Sequence, residues 1–237
     1  MIHPTPDKLR RGLFAASLSV LVLAVGVLPF ARSAGYGLVN CDDHAYVATY
    51  GHVTGGASVE NFLCGLSFTK EGIWMPLTWL SYMLDYDIAG SLGWSGKEDE
   101  RVFHVMHVHS VAVHGLNAVL LFLLLSLLVD RRDMPFAALA ALFWAVHPLR
   151  CESVAWIASR KDVLSMTGLL LALACWVKCR RTKVTSRLWP VAWYAASLVA
   201  FALGAMAKPS VMCYPALVAL LDWFFLRRNE RDALAFL

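Results

Sequence analysis

Two adjacent carboxylates, Asp42 and Asp43, and a later polar run hold the residue types that could do chemistry. The run is His147-Pro148-Leu149-Arg150-Cys151-Glu152-Ser153-Val154-Ala155-Trp156, followed by Ser159-Arg160-Lys161-Asp162. A carboxylate can take the proton of an attacking hydroxyl. Repulsion between neighbouring carboxylates lifts one of their pKa values toward a useful range. The same pair could bind a divalent cation through oxygen ligands; the alternative is a solvated acidic turn. Arg150, Arg160 and Lys161 could hold an anionic headgroup, since arginine offers a planar fork to phosphate and lysine a point charge. The alternative there is local salt bridges, Glu152 with Arg150 or Lys161 and Asp162 with Arg160. Such bridges contribute little when exposed.

Other polar residues interrupt apolar stretches. His104, His107, His114 and Asn117 recur at a spacing that puts them on one helical face. A polar stripe within an apolar helix faces a cavity or a partner helix. His107 and His114 are two turns apart, too far to share one ion without other ligands, so helix-packing hydrogen bonds are the favoured reading. Lys208, at a Lys-Pro junction, marks a substrate path or snorkels to the interface. Asp222 is expected to pair with Arg227 and Arg228 one turn away. No Ser/His/Asp triad, P-loop, HExxH or dinucleotide fingerprint is present. The six cysteines show no CxxC and no zinc spacing. Cys41 and Cys64 could pair in an oxidising compartment, although free thiols are favoured.

The elements that must position these residues are apolar. Of 237 residues, 59% are hydrophobic and 16% charged, and the mean hydropathy is +0.58. A soluble domain is nearer half apolar and a quarter charged. The excess sits in six blocks, about 12–31, 103–129, 134–149, 163–177, 188–207 and 209–226. A spanning helix needs about 20 such residues; the third and fourth blocks are short and would sit slightly sunk in the bilayer. Lys8, Arg10 and Arg11, then Arg131 and Arg132, then Lys178, Arg180, Arg181, Lys183 and Arg187, then Arg227, Arg228 and Arg231 occupy alternate connections. If all six blocks span, these clusters share one side, and basic connections mark the cytoplasm. The net charge of +4 therefore reports topology and not nucleic-acid binding. The other side receives loop 32–102, with nine acidic and four basic residues, and loop 150–162. In the long loop, helices are expected near 58–68 and 77–88. The second, rich in Trp and Tyr but too short to span, is expected to lie in the interface. The first block could also be a cleavable signal peptide, but it is longer than the usual signal core.

Five motifs in order carry a resemblance. They are Cys41-Asp42-Asp43-His44-Ala45-Tyr46-Val47; Trp74-Met75-Pro76-Leu77-Thr78-Trp79-Leu80-Ser81-Tyr82-Met83-Leu84-Asp85-Tyr86; the stretch from His147 to Ser165; Met206-Ala207-Lys208-Pro209; and Leu221-Asp222-Trp223. Together they resemble the membrane region of the transmembrane and tetratricopeptide-repeat O-mannosyltransferases and their bacterial relatives. These are members of the GT-C superfamily, with the protein O-mannosyltransferases as cousins. The resemblance covers about 39–227. It departs at Met75, where the family usually has His, at Ser110, where Asn is common, and at Tyr50-Gly51, in place of Asn-Pro.

The resemblance implies an all-α, polytopic GT-C-like N-terminal half with a large first non-cytoplasmic loop bearing interfacial helices. It forms a single transmembrane domain over 1–237 without tetratricopeptide repeats. It implies transfer of a sugar, mannose for this family, from a polyprenyl- or dolichyl-phosphate carrier to a Ser or Thr hydroxyl of an acceptor protein. Asp42 and Asp43 match the family's catalytic acidic position. Arg150, Arg160, Lys161 and Lys208 would hold the lipid phosphate, and His107, His114, His147, Glu152, Trp156 and Asp162 would shape the site. No cofactor is assigned; the lipid-linked sugar is the donor substrate, with a divalent cation at Asp42 and Asp43 left open. The partners are the bilayer, the donor lipid and the acceptor protein, with no nucleic acid. The membrane is the bacterial inner membrane or the endoplasmic reticulum. Family members continue into further spanning helices, so a C-terminal half or partner subunit is expected to complete the enzyme. The alternative is a non-catalytic or truncated protein of the same fold that binds a lipid-linked sugar or partner. A transporter fits less well, because the charges collect at the ends of the blocks and not at mid-membrane.

Overall fold

The computed structural model describes residues 6–39, 41–67, 73–96, 99–182 and 188–226. Every regular element among them is helical. The long helices are α1 (Pro6–Val27), which continues as a 3-10 helix over Leu28–Gly35, α5 (Glu100–Leu128), α8 (Arg160–Arg181) and α9 (Leu188–Ala207). The first loop carries α2 (Gly51–Thr54), α3 (Val59–Ser67) and α4 (Pro76–Ser91). Shorter pieces are α6 (Met134–Ala145), α7 (Arg150–Ala155) and α10 (Tyr214–Leu221), the last flanked by Pro209–Cys213 and Asp222–Leu226. Five stretches are long and apolar enough to cross a membrane: 10–35, 100–128, 157–181, 188–207 and 209–226. The protein is an all-α polytopic membrane protein.

The third apolar block falls outside these five stretches. Its helix, α6, has 12 residues, about 18 Å at 1.5 Å per residue, against a hydrocarbon core of about 30 Å. Pro135 starts the helix at its first turn, and the His147-Pro148 turn follows its end. Nevertheless α6 runs back along α5, because His114, midway along α5, meets the Ala145 carbonyl at the far end of α6.

Contacts sort the bundle into two ends. At one, Arg11 donates to the carbonyls of Ser126 and Val129, and Arg181 donates to that of Leu127. Arg180 pairs there with Asp222 at 3.5 Å. Arg131 and Arg132 lie just beyond the end of α5. This is the basic end that the sequence assigns to the cytoplasm. Lys183, Arg187, Arg227, Arg228, Arg231 and the side chain of Lys8 lie outside the described residues. Asp222 is held by Arg180 and by the Trp176 indole, which donates to it at 3.0 Å. At the other end the first loop meets the starts of α5 and α8 and the end of α9.

Small residues let the helices approach. A Cβ on Gly168 of α8 would sit 2.5 Å from the Gly204 Cα of α9. That is the close backbone contact that small residues permit between membrane helices. The outer layer has its own core, in which Tyr46, Val47, Trp79, Tyr82, Met83 and Tyr86 pack on Val102, Phe103, Met106, Ile157 and Ala158. Helix α4 packs into this core. Nine of its residues are buried, Asp85 included, while Leu84, Ile88 and Leu92 form its exposed apolar stripe. The stripe repeats every fourth residue, so one face is left for lipid and the rest is core.

Candidate functional site

The site is built on the turn between α7 and α8. Ile157–Ser159 is a single 3-10 turn, and it receives the first loop through Asp43. The Asp43 carboxylate is fully buried. It accepts N–H groups from Val39 at 2.8 Å and from Ala158 at 2.8 Å, the latter 115 residues away. Burial pushes this carboxyl above its ordinary range, and the two backbone donors oppose the shift without cancelling it. Asp43 also precedes the wide helical turn His44–Ala48, and the Tyr86 hydroxyl caps that turn by donating to the Val47 carbonyl at 2.7 Å. Tyr82 does the same on the other side, donating to the Ile157 carbonyl at 2.7 Å.

Asp42, in contrast, is exposed. It lies close enough to Lys161 to act on it electrostatically, as do Asp162 and Lys208. Lys161 is half-buried, its ammonium 4.9 Å from the centre of the Tyr46 ring, a cation–π contact. Lys208, extended at the break after α9, reaches the Asp162 carboxylate at 2.5 Å. The Ala207 carbonyl beside it accepts from the Thr78 hydroxyl at 3.2 Å. One face thus presents an exposed carboxylate, Asp42, beside two ammonium groups and Asp162.

Arg160 is not on that face. It is fully buried, and its guanidinium is ion-paired with Asp85 of α4, itself fully buried. It also donates from Nε to the Ser110 hydroxyl at 3.1 Å and from a terminal nitrogen to the Met106 carbonyl. The Tyr82 ring covers it at 4.7 Å. Its donors are committed to α4 and α5, so the expected contact with a lipid phosphate does not fit this placement. Nor does the expected pairing with Asp162, which Lys208 takes instead. The other oxygen of Asp85 meets His109 Nδ1 at 2.6 Å. Asp85 and His109 were not singled out as site residues. The available signal was a carboxylate flanked by Tyr82 and Tyr86 in the aromatic α4 and a histidine in the apolar α5, each of which calls for a buried partner.

The remaining residues divide by position. His147 Nδ1 accepts the Leu149 N–H at 3.2 Å and closes the turn before α7. Glu152 is exposed, and Trp156 lies beside Asp43. His107 packs edge-on to the Tyr36 ring at 6.2 Å. Asn117 donates to the Val163 carbonyl at 2.7 Å and accepts from the Thr167 hydroxyl at 2.7 Å, tying α5 to α8. His114 stacks on Trp144 at 5.4 Å, and the Arg150 guanidinium lies 5.2 Å from the centre of the same ring. His114, Trp144 and Arg150 line a cleft of about 170 Å³ between α5, α7, α8 and the 209–213 turn.

A divalent cation finds little here. Among the described residues no three His, Cys, Asp or Glu side chains converge. Both Asp43 oxygens already face backbone N–H groups, so the pair does not present a joint oxygen set.

Comparisons with known proteins agree with the resemblance. The chain is 30% identical over 156 residues to human protein O-mannosyl-transferase TMTC2, covering 65% of this chain and 17% of that protein. It is 33% identical over 138 residues to Drosophila melanogaster protein O-mannosyl-transferase Tmtc1, covering 55% and 15%. It is 28% identical over 222 residues to the same fly's protein O-mannosyl-transferase Tmtc2, covering 89% and 21%. Over its membrane region the chain is therefore similar to the O-mannosyltransferases that its motifs resemble, and it spans between 15% and 21% of the length of these relatives. No family model and no solved structure matches it.

Proposed function

We propose that this chain is the membrane part of a GT-C-type glycosyltransferase. It moves a sugar, mannose by the relatives' names, from a polyprenyl- or dolichyl-phosphate carrier to a Ser or Thr hydroxyl of a protein on the non-cytoplasmic face. The membrane is the endoplasmic reticulum or the bacterial inner membrane. One observation carries the reading: Asp43 ties the first loop to the Ala158 N–H, so that Asp42 and Lys208 both lie within electrostatic reach of Lys161.

In this reaction the acceptor oxygen forms a bond to the anomeric carbon as the bond from that carbon to the phosphate oxygen breaks. Asp42 takes the hydroxyl proton. The electron pair of the broken bond leaves on the lipid phosphate, which needs positive charge more than a proton, and Lys161 and Lys208 supply it. A single displacement inverts the anomeric centre. Asp43 acts through Asp42 as a positioning residue, and Arg160 holds the turn from inside.

A second reading follows from the chain's small share of its relatives' length: a non-catalytic or truncated protein that binds the lipid-linked sugar or a partner subunit. The test is transfer in membranes bearing the chain, using radiolabelled polyprenyl-phosphate mannose and a Ser/Thr-rich acceptor. Asp42→Asn should lower transfer by about 10²–10⁴-fold, the usual contribution of a positioned base. Full transfer by Asp42→Asn removes the assignment of the base. Carrier binding with no transfer by the unaltered chain selects the second reading.

A further inference from the structure

The cleft that runs inward between α7, α8 and the 209–213 turn is an unassigned site, and its hydrogen-bonding groups define what fits it. His114 is fully buried at its inner wall. Its Nε2 faces the Ala145 carbonyl at 3.0 Å. A carbonyl only accepts, so Nε2 carries the ring proton, and in the neutral ring Nδ1 is a bare acceptor. That Nδ1 has no partner among the described residues. On the opposite requirement, the buried Arg150 Nε is a donor and also has no partner among them. A buried polar atom without a partner costs far more than a satisfied one, so these two atoms call for a ligand or water that both donates and accepts.

Three hydroxyls, of Ser153, Ser165 and Ser210, also line the cleft. Ser165 donates to the Asp162 carbonyl at 3.0 Å and keeps its acceptor side. The one carboxylate of the lining, Asp162, is already paired with Lys208. A phosphodiester could accept from Arg150 but carries no hydroxyl to donate to His114. A hydroxyl-bearing ring could do both. The volume of about 170 Å³ suits one such ring, since a cavity of about 150 Å³ accepts benzene.

We propose that this cleft binds a single hydroxyl-rich ring of pyranose size, with His114 Nδ1 accepting from one ring hydroxyl and Arg150 Nε donating to another. Delivery of that ring on a lipid phosphate rests on the glycosyltransferase reading above; the cleft's preference for a hydroxylated ring does not. The Lys208–Asp162 pair at the rim joins the cleft to the face that holds Lys161 and Asp42.

The test has two arms, both on the full chain in detergent micelles. In the first, Ser210→Cys is placed in a background where the six native cysteines are Ser, and its labelling by a maleimide is followed with D-mannose or the phosphodiester dimethyl phosphate added. Mannose should slow labelling and dimethyl phosphate should not. His114→Phe, which keeps the ring stack on Trp144, and Arg150→Met, which keeps the aliphatic packing, should each weaken protection by about three- to tenfold, the effect of one neutral hydrogen bond. No protection by mannose, equal protection by dimethyl phosphate, or protection unchanged in both variants overturns the site and leaves the cleft to water. In the second arm, polyprenyl-phosphate mannose is titrated against sugar-free polyprenyl phosphate. Both variants should weaken only the sugar-bearing lipid, and equal weakening of the two overturns the proposal. Mannose protection without binding of either lipid refutes the glycosyltransferase reading and leaves the cleft assignment standing.

Discussion

Replacing Asp85 with Asn tests the buried centre of the outer layer. Asp85 and Arg160 are both fully buried and ion-paired. In Asp85→Asn the guanidinium keeps the Ser110 hydroxyl and the Met106 carbonyl but loses the one carboxylate paired with it among the described residues. Removing one partner of a buried pair costs about 3–5 kcal/mol, because the remaining charge is left uncompensated. At 1.4 kcal/mol per tenfold, that lowers the folded-to-unfolded ratio by about two to three and a half decades. Arg160→Met alone should cost a similar amount by stranding the Asp85 carboxylate. The double variant Asp85→Leu/Arg160→Met strands no charge, so it should recover most of the loss. The assay is reversible unfolding of the four chains in mixed micelles of increasing denaturing-detergent fraction. Single variants within about 1 kcal/mol of the parent would refute the ion-pair account, since no buried charge loses its partner so cheaply. A double variant as unstable as the sum of the singles would refute it as well.

Two further outcomes follow from the packing. Burial raises the Asp43 carboxyl above 3.8, so its contribution to stability is fully present below that value and is lost as pH rises through the folded pKa. Relative to Asp43→Asn, the parent should therefore lose stability in unfolding titrations taken from about pH 4 upward; a gain with rising pH contradicts the assignment. In the bundle, Gly168→Ala should cost about 1–3 kcal/mol by overpacking α8 on α9, because its Cβ would lie 2.5 Å from Gly204 Cα. Gly204→Ala, whose Cβ would stand 3.2 Å from the nearest atom, should cost less in the same melt, and an equal or reversed order refutes the close contact.

Hydropathy is a one-dimensional property, and the features that depend on it were legible in the sequence. The apolar blocks became helices, and the basic connections around Arg11, Arg131, Arg132, Arg180 and Arg181 came to one end. The length of α6 was less legible, because the block counts apolar residues whereas the helix stops before the His147-Pro148 turn. The site was half legible. The structure brings the motifs around Asp42 and Lys161 together, but a charge in a motif does not say which way it faces. Arg160 and Lys161 are adjacent, and a helix turns successive side chains by about 100°, so one points into the core and the other to the acidic loop. The partner of Arg160 lies 75 residues away in α4. Local spacing cannot reveal such a pair, although a carboxylate buried among Trp79, Tyr82 and Tyr86 requires some partner.

The central claim is that the acidic loop and the start of α8 face one compartment, opposite the basic end. Cys41, beside Asp42, and Cys151, at the start of α7, are both exposed and serve as native reporters, while an Arg131→Cys variant reports the basic end. In intact cells or sealed vesicles of known orientation, a membrane-impermeant maleimide should label Cys41 and Cys151 from the non-cytoplasmic side, and the cysteine at position 131 only after permeabilisation. Labelling of Cys41 and Cys151 from opposite sides would separate Asp42 from Lys161 and contradict the account.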